Sequence, residues 1–233
     1  MADVPADESV LEKLVSMVEP VEIVVFTAEG CPNCPHTVRA ASALAAANSM
    51  VSVTVVDASE NAELASRYQV RSVPTAVVNG DLTIIGVVTQ EELAHQLVEL
   101  QGPRAEDSIF ISLVKSGRLA DATSRLVDGR GIPAFAELWN ESTLEGRIGL
   151  SLSAQNAVDE EPGSLDALVE LILPSLETDD TARRGDTADL LGAIGHQTAK
   201  PALERLLDDS HPDVAEAAED ALASIEERTR ASD

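Results

Sequence analysis

Thr27-Ala28-Glu29-Gly30-Cys31-Pro32-Asn33-Cys34-Pro35 is the stretch from which the fold of the N-terminal region can be inferred. It contains both cysteines of the 233-residue chain, in the spacing Cys-x-x-Cys, and it directly follows the strand-like run at 21–26. If residues 38–47 form a helix, both thiols lie where that helix begins. Unpaired backbone N–H groups and the positive end of the helix dipole stabilise a thiolate there. The stretch is therefore suited to thiol–disulfide exchange.

The hydrophobic pattern of residues 8–100 alternates between helical and strand periodicity. The predicted strands cover residues 21–26, 51–56, 73–78 and 82–87, and the predicted helices cover residues 8–18, 38–47, 61–68 and 90–100. Asn79-Gly80 is a strong hairpin turn signal between the last two strands. Strands that alternate with helices imply parallel pairing, and the hairpin adds antiparallel strands at one side. The order predicts an α/β fold with a mixed four-stranded sheet and flanking helices.

Three clusters carry a family resemblance: Ala28-Glu29-Gly30-Cys31-Pro32-Asn33-Cys34, Tyr68-Gln69-Val70-Arg71-Ser72-Val73-Pro74-Thr75, and Asn79-Gly80. On these residues the region 20–100 resembles the thioredoxin family, and most closely the small glutaredoxin-like thioredoxins of archaea and bacteria. It is also similar to the thioredoxin-like N-terminal part of alkyl hydroperoxide reductase flavoproteins, in which Cys-x-x-Cys-Pro also opens a helix. Cys-x-x-Cys alone is a weak signal, and the later Val-Pro-Thr before a strand makes the match more specific.

The resemblance implies a role for each residue of the site. Cys31 is expected to be the exposed nucleophile, and Cys34 the resolving thiol that closes a Cys31–Cys34 disulfide. Pro74 matches the cis-proline that the family places opposite the redox turn, which would direct the backbone of Val73 outward to pair with a substrate strand. The alternative for Pro74 is a trans proline that starts an edge strand.

Other chemistry for the two cysteines stays open at this point. Zinc needs about four ligands, and the chain offers two sulfurs with His36 nearby, so we expect no metal site. A thioredoxin fold that has kept its cysteines without activity is a further alternative. We expect no cofactor apart from the redox-active disulfide.

Two positions depart from the family pattern. Val25 stands where many thioredoxins have a buried aspartate, and Thr27 stands where they have a tryptophan. The usual proton acceptor for Cys34 is therefore missing, so that water or Glu29 takes the proton, or exchange is slower at neutral pH. Asn33 brings no charge to the turn, which favours a potential nearer to that of the reducing thioredoxins.

Five residues are candidate modulators of the site: Glu29, Pro32, Asn33, His36 and Arg71. His36 lies in the first turn of the active-site helix, where a charged imidazole would influence the cysteines, and its alternative is a solvated surface histidine. Arg71 lies three residues before Pro74 and is predicted to flank the substrate groove, and its alternative is a surface cation.

The sequence pattern changes after residue 101. Residues 102–107 are polar and contain Gly102 and Pro103, which indicates a linker. From there to residue 233 the periodicity is helical. We expect a thioredoxin-like domain at 1–101, including the helix at 8–18, a linker at 102–107, and an all-α domain at 108–233.

The C-terminal region contains an internal repeat. A shift of 31 residues aligns four pairs of apolar residues: Leu191 with Leu222, Ile194 with Ile225, Ile172 with Leu203, and Leu176 with Leu207. The predicted helix pairs are 164–177 with 181–194 and 199–207 with 213–227, preceded by 132–140 with 144–156 and by a possible cap at 108–116 with 119–127. Leu191-Gly192-Ala193-Ile194-Gly195 resembles the HEAT-like repeats of the phycobilin-lyase type. Because one helix pair cannot bury its own apolar face, such repeats must stack.

The charge balance disfavours two classes of partner. The chain has 41 acidic and 16 basic residues, a net charge of −25, which repels nucleic acid and anionic lipid.

The acidic residues 1–7 lack the features of a signal peptide, and no apolar run approaches the length of about 18 residues that spans a bilayer. We expect a soluble, cytoplasmic protein. Its acidic, lysine-poor composition resembles adaptation to high salt, and an ordinary acidic protein is the alternative.

The sequence leads to three functional hypotheses. The first is a thiol–disulfide oxidoreductase that acts on protein disulfides, with the helical repeats binding a client protein or redox partner beside Cys31. The second is a protein-binding scaffold in which the thioredoxin fold is a docking module. The third is a redox-sensing adaptor, in which oxidation of the dithiol changes what the repeats bind.

Overall fold

A computed structural model describes residues 6, 8–141 and 144–232 of the chain. The chain divides into two compact units, Met1–Arg118 and Leu119–Asp233. Among the described residues, no helix combines the length and the apolar composition needed to cross a membrane.

The first unit is built on a four-stranded sheet. Its strands are β1 (Val21–Thr27), β2 (Val51–Asp57), β3 (Thr75–Val78) and β4 (Leu82–Ile85), in the order β2-β1-β3-β4. β1 is parallel to β2, whereas β3 is antiparallel to both β1 and β4. The helices are α1 (Glu8–Leu14), α2 (Cys34–Ala47), α3 (Ala62–Arg67), α4 (Gln90–Glu99) and α5 (Ala105–Ser116). The predicted mixed four-stranded sheet with flanking helices is confirmed.

Apolar residues of β1 are buried on both faces of the sheet, as expected for a strand covered on each side. On one face Val21, Ile23 and Val25 belong to the cluster that also contains residues of α1, α2 and α4. On the other face Phe26 belongs to a smaller cluster with Ala65 of α3. The sheet is therefore fixed between two layers of helices, and the loop after β1 starts from a rigid strand.

The hairpin between β3 and β4 follows from the Asn79-Gly80 sequence. Asn79 and Gly80 have φ angles of 51° and 77°, the left-handed values that a type I′ turn requires at both central positions. The Asp81 N–H closes the turn on the Val78 carbonyl oxygen at 3.0 Å. The turn fixes the register that pairs Thr75 with Ile85.

α5 packs along the outer edge of β4. The Ser112 hydroxyl accepts from the Thr83 N–H at 2.8 Å and donates to the Thr83 carbonyl oxygen at 3.0 Å. The Arg118 guanidinium donates to the carbonyl oxygens of Gly80 and Asp81 at 2.8 and 3.2 Å and lies 5.4 Å from the centre of the Tyr68 ring. α5 thus satisfies backbone groups that an edge strand would leave unpaired.

Because of these contacts, the boundary between the two compact units does not coincide with the predicted linker at 102–107. Residues 105–107, which we predicted to be linker, form the first turn of α5, and the first compact unit extends to Arg118. The helix predicted at 108–116 is present, but it packs on β4 in the first unit, whereas its predicted partner at 119–127 belongs to the second. The helix predicted at 8–18 ends at Leu14, where the Ser16 hydroxyl bonds to the Lys13 carbonyl oxygen at 2.7 Å.

Among the described residues of the second unit, 119–141 and 144–232, every regular element is a helix, which confirms the largely helical C-terminal region. Its helices are α6 (Leu119–Val127), α7 (Ile132–Glu141), α8 (Leu144–Glu160), α9 (Asp166–Ile172), α10 (Thr181–Ile194), α11 (Lys200–Leu206) and α12 (Pro212–Ser232), with short 3₁₀ segments at Leu173–Glu177 and Gln197–Ala199. The assignment of these helices to HEAT-like repeats stays a prediction.

Two interactions define the packing of the second unit. α10 and α12 approach so closely that a Cβ on Gly192 would lie 2.7 Å from the Cα of Ala221. The Arg184 guanidinium of α10 forms two hydrogen bonds, at 2.8 and 2.9 Å, with the carboxylate of Asp209 in the turn before α12. Small residues at the helix crossing and a paired charge beside it hold this part of the unit together.

Candidate active site

Cys31 and Cys34 form a disulfide at the start of α2. Cys34 is the first residue of the helix and is buried, whereas Cys31 is half-buried in the preceding loop. The Cys34 N–H lies 3.1 Å from the Cys31 Sγ, and the side chain of Asn33 makes no cap hydrogen bond. The first free donor of the helix is therefore directed at the sulfur of Cys31, where it would stabilise a thiolate.

The peptide bond between Val73 and Pro74 is cis and lies next to the disulfide. The Cys31 Sγ is 4.0 Å from the carbonyl oxygen of Val73. Val73 is half-buried, and Pro74 is buried. The structure thus brings together the four residues that the sequence assigned to the dithiol and the groove.

An apolar rim continues the site on the far side of Pro74. The Gly86 N–H donates to the Pro74 carbonyl oxygen at 2.8 Å, and the residues on either side of it, Ile85 and Val87, are 59% and 51% exposed. Thr37 of α2 ties the active-site helix to this segment, since its hydroxyl lies 3.5 Å from the Gly86 carbonyl oxygen and 3.4 Å from the Val88 nitrogen. Exposed aliphatic side chains beside a reactive sulfur are suited to contact with a protein.

Residues 82–87 are predicted from the sequence to form one continuous strand. That prediction does not reveal a rim on either side of Gly86. The strand ends at Ile85, and Gly86 has a φ of 93°. A glycine inside a predicted strand often marks a bulge or a close approach of backbone, and that signal was present at Gly86.

The positions of the expected aspartate and tryptophan are now defined. Val25 is fully buried in the core, and the Thr27 hydroxyl donates to the Val56 carbonyl oxygen at 3.2 Å. Neither side chain has a carboxylate. Neither can therefore replace the buried aspartate as the proton acceptor for Cys34.

The candidate modulators divide into two groups. Glu29, Pro32 and Asn33 are exposed in the loop that carries Cys31. His36 and Arg71 are also exposed, but each has another neighbour. The His36 Nδ1 lies 3.2 Å from the Arg39 guanidinium, and the Arg71 Nη2 would lie 3.5 Å from a Cβ on Gly117, the residue that ends α5.

Among the described residues, no group of three or more His, Cys, Asp and Glu side chains could hold a metal ion.

Comparisons with known proteins identify the family. Residues 21–99 match the thioredoxin domain family. The chain is 38% identical over 80 residues to the thioredoxin of Methanocaldococcus jannaschii, which covers 92% of that protein and 33% of this chain. This chain belongs to the thioredoxin family. A probable thioredoxin of Archaeoglobus fulgidus is 29% identical over 79 residues, which covers 87% of that protein and 34% of this chain.

Two solved structures are also similar to this chain. The NTD_N/C domain of the alkylhydroperoxide reductase AhpF of Enterococcus faecalis is 28% identical, with a TM-score of 0.38, and the match covers 40% of this chain and 45% of that chain. A protein disulfide oxidoreductase of Aeropyrum pernix is 30% identical, with a TM-score of 0.37, and the match covers 40% of this chain and 43% of that one. The chain spans less than half of each of these two proteins. The family assignment rests on the archaeal thioredoxin, and with the Cys31–Cys34 pair it supports thiol–disulfide oxidoreductase activity in general terms.

Proposed function

We propose that this protein is a thiol–disulfide oxidoreductase in which Cys31 and Cys34 pass between the dithiol and the disulfide as client proteins are oxidised or reduced. The observation that carries the proposal is the position of the Cys31 Sγ, which lies 3.1 Å from the Cys34 nitrogen and 4.0 Å from the Val73 carbonyl oxygen. The Cys34 N–H would stabilise a thiolate on Cys31. The Val73 carbonyl oxygen belongs to a backbone segment that can pair with an extended client segment.

The exchange proceeds in two steps when the reduced protein acts on a client. The Cys31 thiolate attacks one sulfur of the client disulfide, which forms a mixed disulfide and releases the other client sulfur as a thiolate that takes up a proton. Cys34 then loses its proton and attacks the Cys31 Sγ, which forms the Cys31–Cys34 disulfide and releases the second client thiolate. Two electrons pass from the dithiol to the client.

The proton of Cys34 leaves without help from a buried carboxylate on β1, because Val25 occupies that position. Water or the exposed Glu29 accepts the proton in this proposal. The disulfide itself is the redox group, and no other cofactor is required.

The client binds over the backbone of Val73 and the apolar rim formed by Ile85 and Val87. The helical second unit is the proposed binding surface for the client or for the protein that donates electrons. The net charge of −25 supports a protein partner over nucleic acid or an anionic membrane. We assign this activity to the cytoplasm.

Reduction of a generic protein disulfide, such as the interchain disulfides of insulin, tests the proposal with dithiothreitol as the electron donor. The wild type should accelerate precipitation of the reduced chains at least about tenfold over dithiothreitol alone, because a thiolate stabilised at a helix start reacts faster than a free thiol at neutral pH. Cys31→Ser should give only the background rate, whereas Ser66→Ala, which removes an exposed hydroxyl on α3, should match the wild type. A folded wild type that does not exceed the background would contradict the proposal.

A further inference from the structure

A cleft lies along the outer side of β4 and begins at the apolar rim beside the dithiol. Its volume is about 570 Å³, within the range of about 300 to 1,000 Å³ that is typical of ligand pockets. Its walls come from β4 and the residues that follow it, from α4 and from α5, and the apolar residues among them are Ile84, Ile85, Val87, Val88 and Ile111. Because Ile85 and Val87 belong to both the rim and the cleft, the cleft continues the surface that we assign to the client.

α5 gives the cleft a wall that lies outside the thioredoxin domain. The family match ends at residue 99, and α5 begins at Ala105. Ser108, Ile111, Ser112 and Lys115 recur at intervals of three and four residues, so they share one face of α5, and all four line the cleft. Part of the cleft is therefore built from residues that the family match does not contain.

α5 leaves one residue of the β4 edge without a backbone partner. The Ser112 hydroxyl bonds to both the N–H and the carbonyl oxygen of Thr83, so these two groups are directed away from β3. Ile85 is two residues further along the same strand, and its N–H and carbonyl oxygen are directed the same way. Within the described part of the chain, no group donates to or accepts from them. A strand edge of this kind can bind an extended peptide through its backbone.

Lys115 adds a positive charge to the lining of the cleft. The chain has three lysines. Lys13 lies 3.1 Å from Glu91, and Lys200 lies 3.9 Å from Glu226, whereas Lys115 has no carboxylate partner among the described residues. In a chain with 41 acidic residues, this lysine is available to pair with a carboxylate of a ligand.

The two charged side chains of the lining differ in what they offer a ligand. The Glu92 carboxylate already accepts from the N–H and the hydroxyl of Thr89, at 2.9 and 2.8 Å, where it caps α4. The Lys115 side chain is exposed. Exposed charges farther apart than the Debye length of about 8 Å are largely screened at physiological ionic strength, so Lys115 acts on a bound ligand more strongly than distant acidic residues do. The cleft therefore favours a ligand with a carboxylate.

We propose that this cleft binds the segment of the client that flanks its disulfide. The inference rests on the proposed function and names a class of client for it. The backbone of the segment pairs with Ile85, a large aliphatic side chain packs against the apolar walls, and a carboxylate two residues away binds Lys115. Residues two apart lie on the same face of an extended segment, so both side chains enter one cleft. Disulfides flanked by such a pair are the preferred substrates.

Binding of a labelled peptide without cysteine tests the cleft apart from the chemistry of the dithiol. The probe is a peptide of about ten residues with leucine and glutamate two residues apart, and its binding is followed by fluorescence anisotropy. Replacing its leucine by alanine should weaken binding about tenfold, because the lost aliphatic carbons no longer pack in the cleft. Ser108→Trp, which fills the cleft from α5, should weaken binding of the leucine peptide by at least about tenfold.

Exchange of charges between protein and peptide tests the role of Lys115. Lys115→Glu should bind the first peptide about fivefold more weakly, because like charges then face each other. A second peptide, with lysine in place of the glutamate, should bind Lys115→Glu to within about twofold of the original pair. Arg67→Glu is the matched control, because it makes the same change in net charge at an exposed residue of α3, which covers the other face of the sheet. It should bind the first peptide as the wild type does.

The proposal is overturned if the wild type binds no peptide at concentrations up to about 1 mM, if Lys115→Glu binds as Arg67→Glu does, or if the exchanged charges fail to restore binding. It is also overturned if the wild type forms a dimer that Ser108→Trp dissociates, because a second copy of the chain then occupies the cleft. If Ser108→Trp does not fold by circular dichroism, the charge exchange at the exposed Lys115 decides the question.

The peptide readout separates failure of the cleft from failure of the proposed function. Reduction of insulin by a wild type that binds no peptide would contradict the cleft alone. Binding of the peptide by a wild type that fails to reduce insulin would contradict the proposed function, and the cleft would stand as a peptide site.

Discussion

The Cys31 Sγ lies 4.0 Å from the carbonyl oxygen of Val73, and the peptide bond that follows Val73 is cis. Because the sulfur lies this close to the Val73 carbonyl oxygen, an extended client that pairs with the backbone of Val73 would place its own disulfide beside Cys31. Its flanking side chains would then reach the exposed Ile85 and Val87. The proposed function therefore predicts that recognition of a client protein is separable from the chemistry of the dithiol.

Replacing Ile85 by aspartate should weaken client binding and leave the chemistry intact. An apolar contact that buries about 60 Å² contributes about 1.5 kcal/mol, so kcat/KM for a protein disulfide should fall about tenfold. The rate with a small aromatic disulfide should change less than about twofold, since it makes no contact with the rim. Val15→Asp is the control, because Val15 is also an exposed aliphatic residue, at 83% exposure, outside the site. Equal losses for both substrates, or for both variants, would contradict the assignment of the rim.

Gly192 and Gly185 of α10 should respond in opposite directions to substitution by alanine. A Cβ on Gly192 would lie 2.7 Å from the Cα of Ala221, so Gly192→Ala should destabilise the second unit by about 1 to 3 kcal/mol. A Cβ on Gly185 would meet nothing within 4 Å, so Gly185→Ala should stabilise the helix by up to about 1 kcal/mol. Trp139 is the single tryptophan and is fully buried in the second unit, so its fluorescence during urea unfolding reports on this unit. Similar effects of the two substitutions would contradict the close crossing of α10 and α12.

The Arg184–Asp209 pair should make the stability of the second unit sensitive to acid. The hydrogen bond from the Arg184 guanidinium, followed by the bond from the His211 N–H, holds the pKa of Asp209 below its ordinary value of 3.8. The unfolded chain therefore binds a proton at a higher pH than the folded chain. The stabilisation is fully present above about pH 4 and is lost as the pH falls through the folded pKa.

Arg184→Met should remove this stabilisation at neutral pH. It leaves a nearly buried carboxylate without its charged partner, and the free energy of unfolding should fall by about 2 kcal/mol. The decrease in stability expected for the wild type below about pH 4 should become shallower in this variant. Arg205→Met, which removes an exposed pair with Glu177 at 3.9 Å, should cost less than about 0.5 kcal/mol. If both variants lose the same stability, the paired charge at Asp209 has no special role.

The features that the sequence predicted correctly depend on local patterns. Alternating strand and helix periodicity predicts the mixed sheet, and Asn79-Gly80 predicts the hairpin because both residues must adopt positive φ. Cys-x-x-Cys after a strand predicts that the thiols lie where a helix begins, and α2 begins at Cys34. Each of these inferences uses residues within one turn or one element.

The features that the sequence did not reveal depend on contacts between distant residues. Helical periodicity in α5 shows an apolar face, but it does not show that Ser112 binds the backbone of Thr83, 29 residues earlier. For this reason the last three residues of the predicted linker at 102–107 lie in α5.

Trapping of mixed disulfides by Cys34→Ser tests the central claim most directly. Without the resolving thiol, the mixed disulfide between Cys31 and a client cannot be released by Cys34. Protein adducts should therefore accumulate when the variant is expressed in its host, should disappear on addition of dithiothreitol, and should be absent from the variant with both Cys31→Ser and Cys34→Ser. If Cys34→Ser forms no adducts that depend on Cys31, the assignment of Cys31 as the nucleophile toward client proteins is wrong.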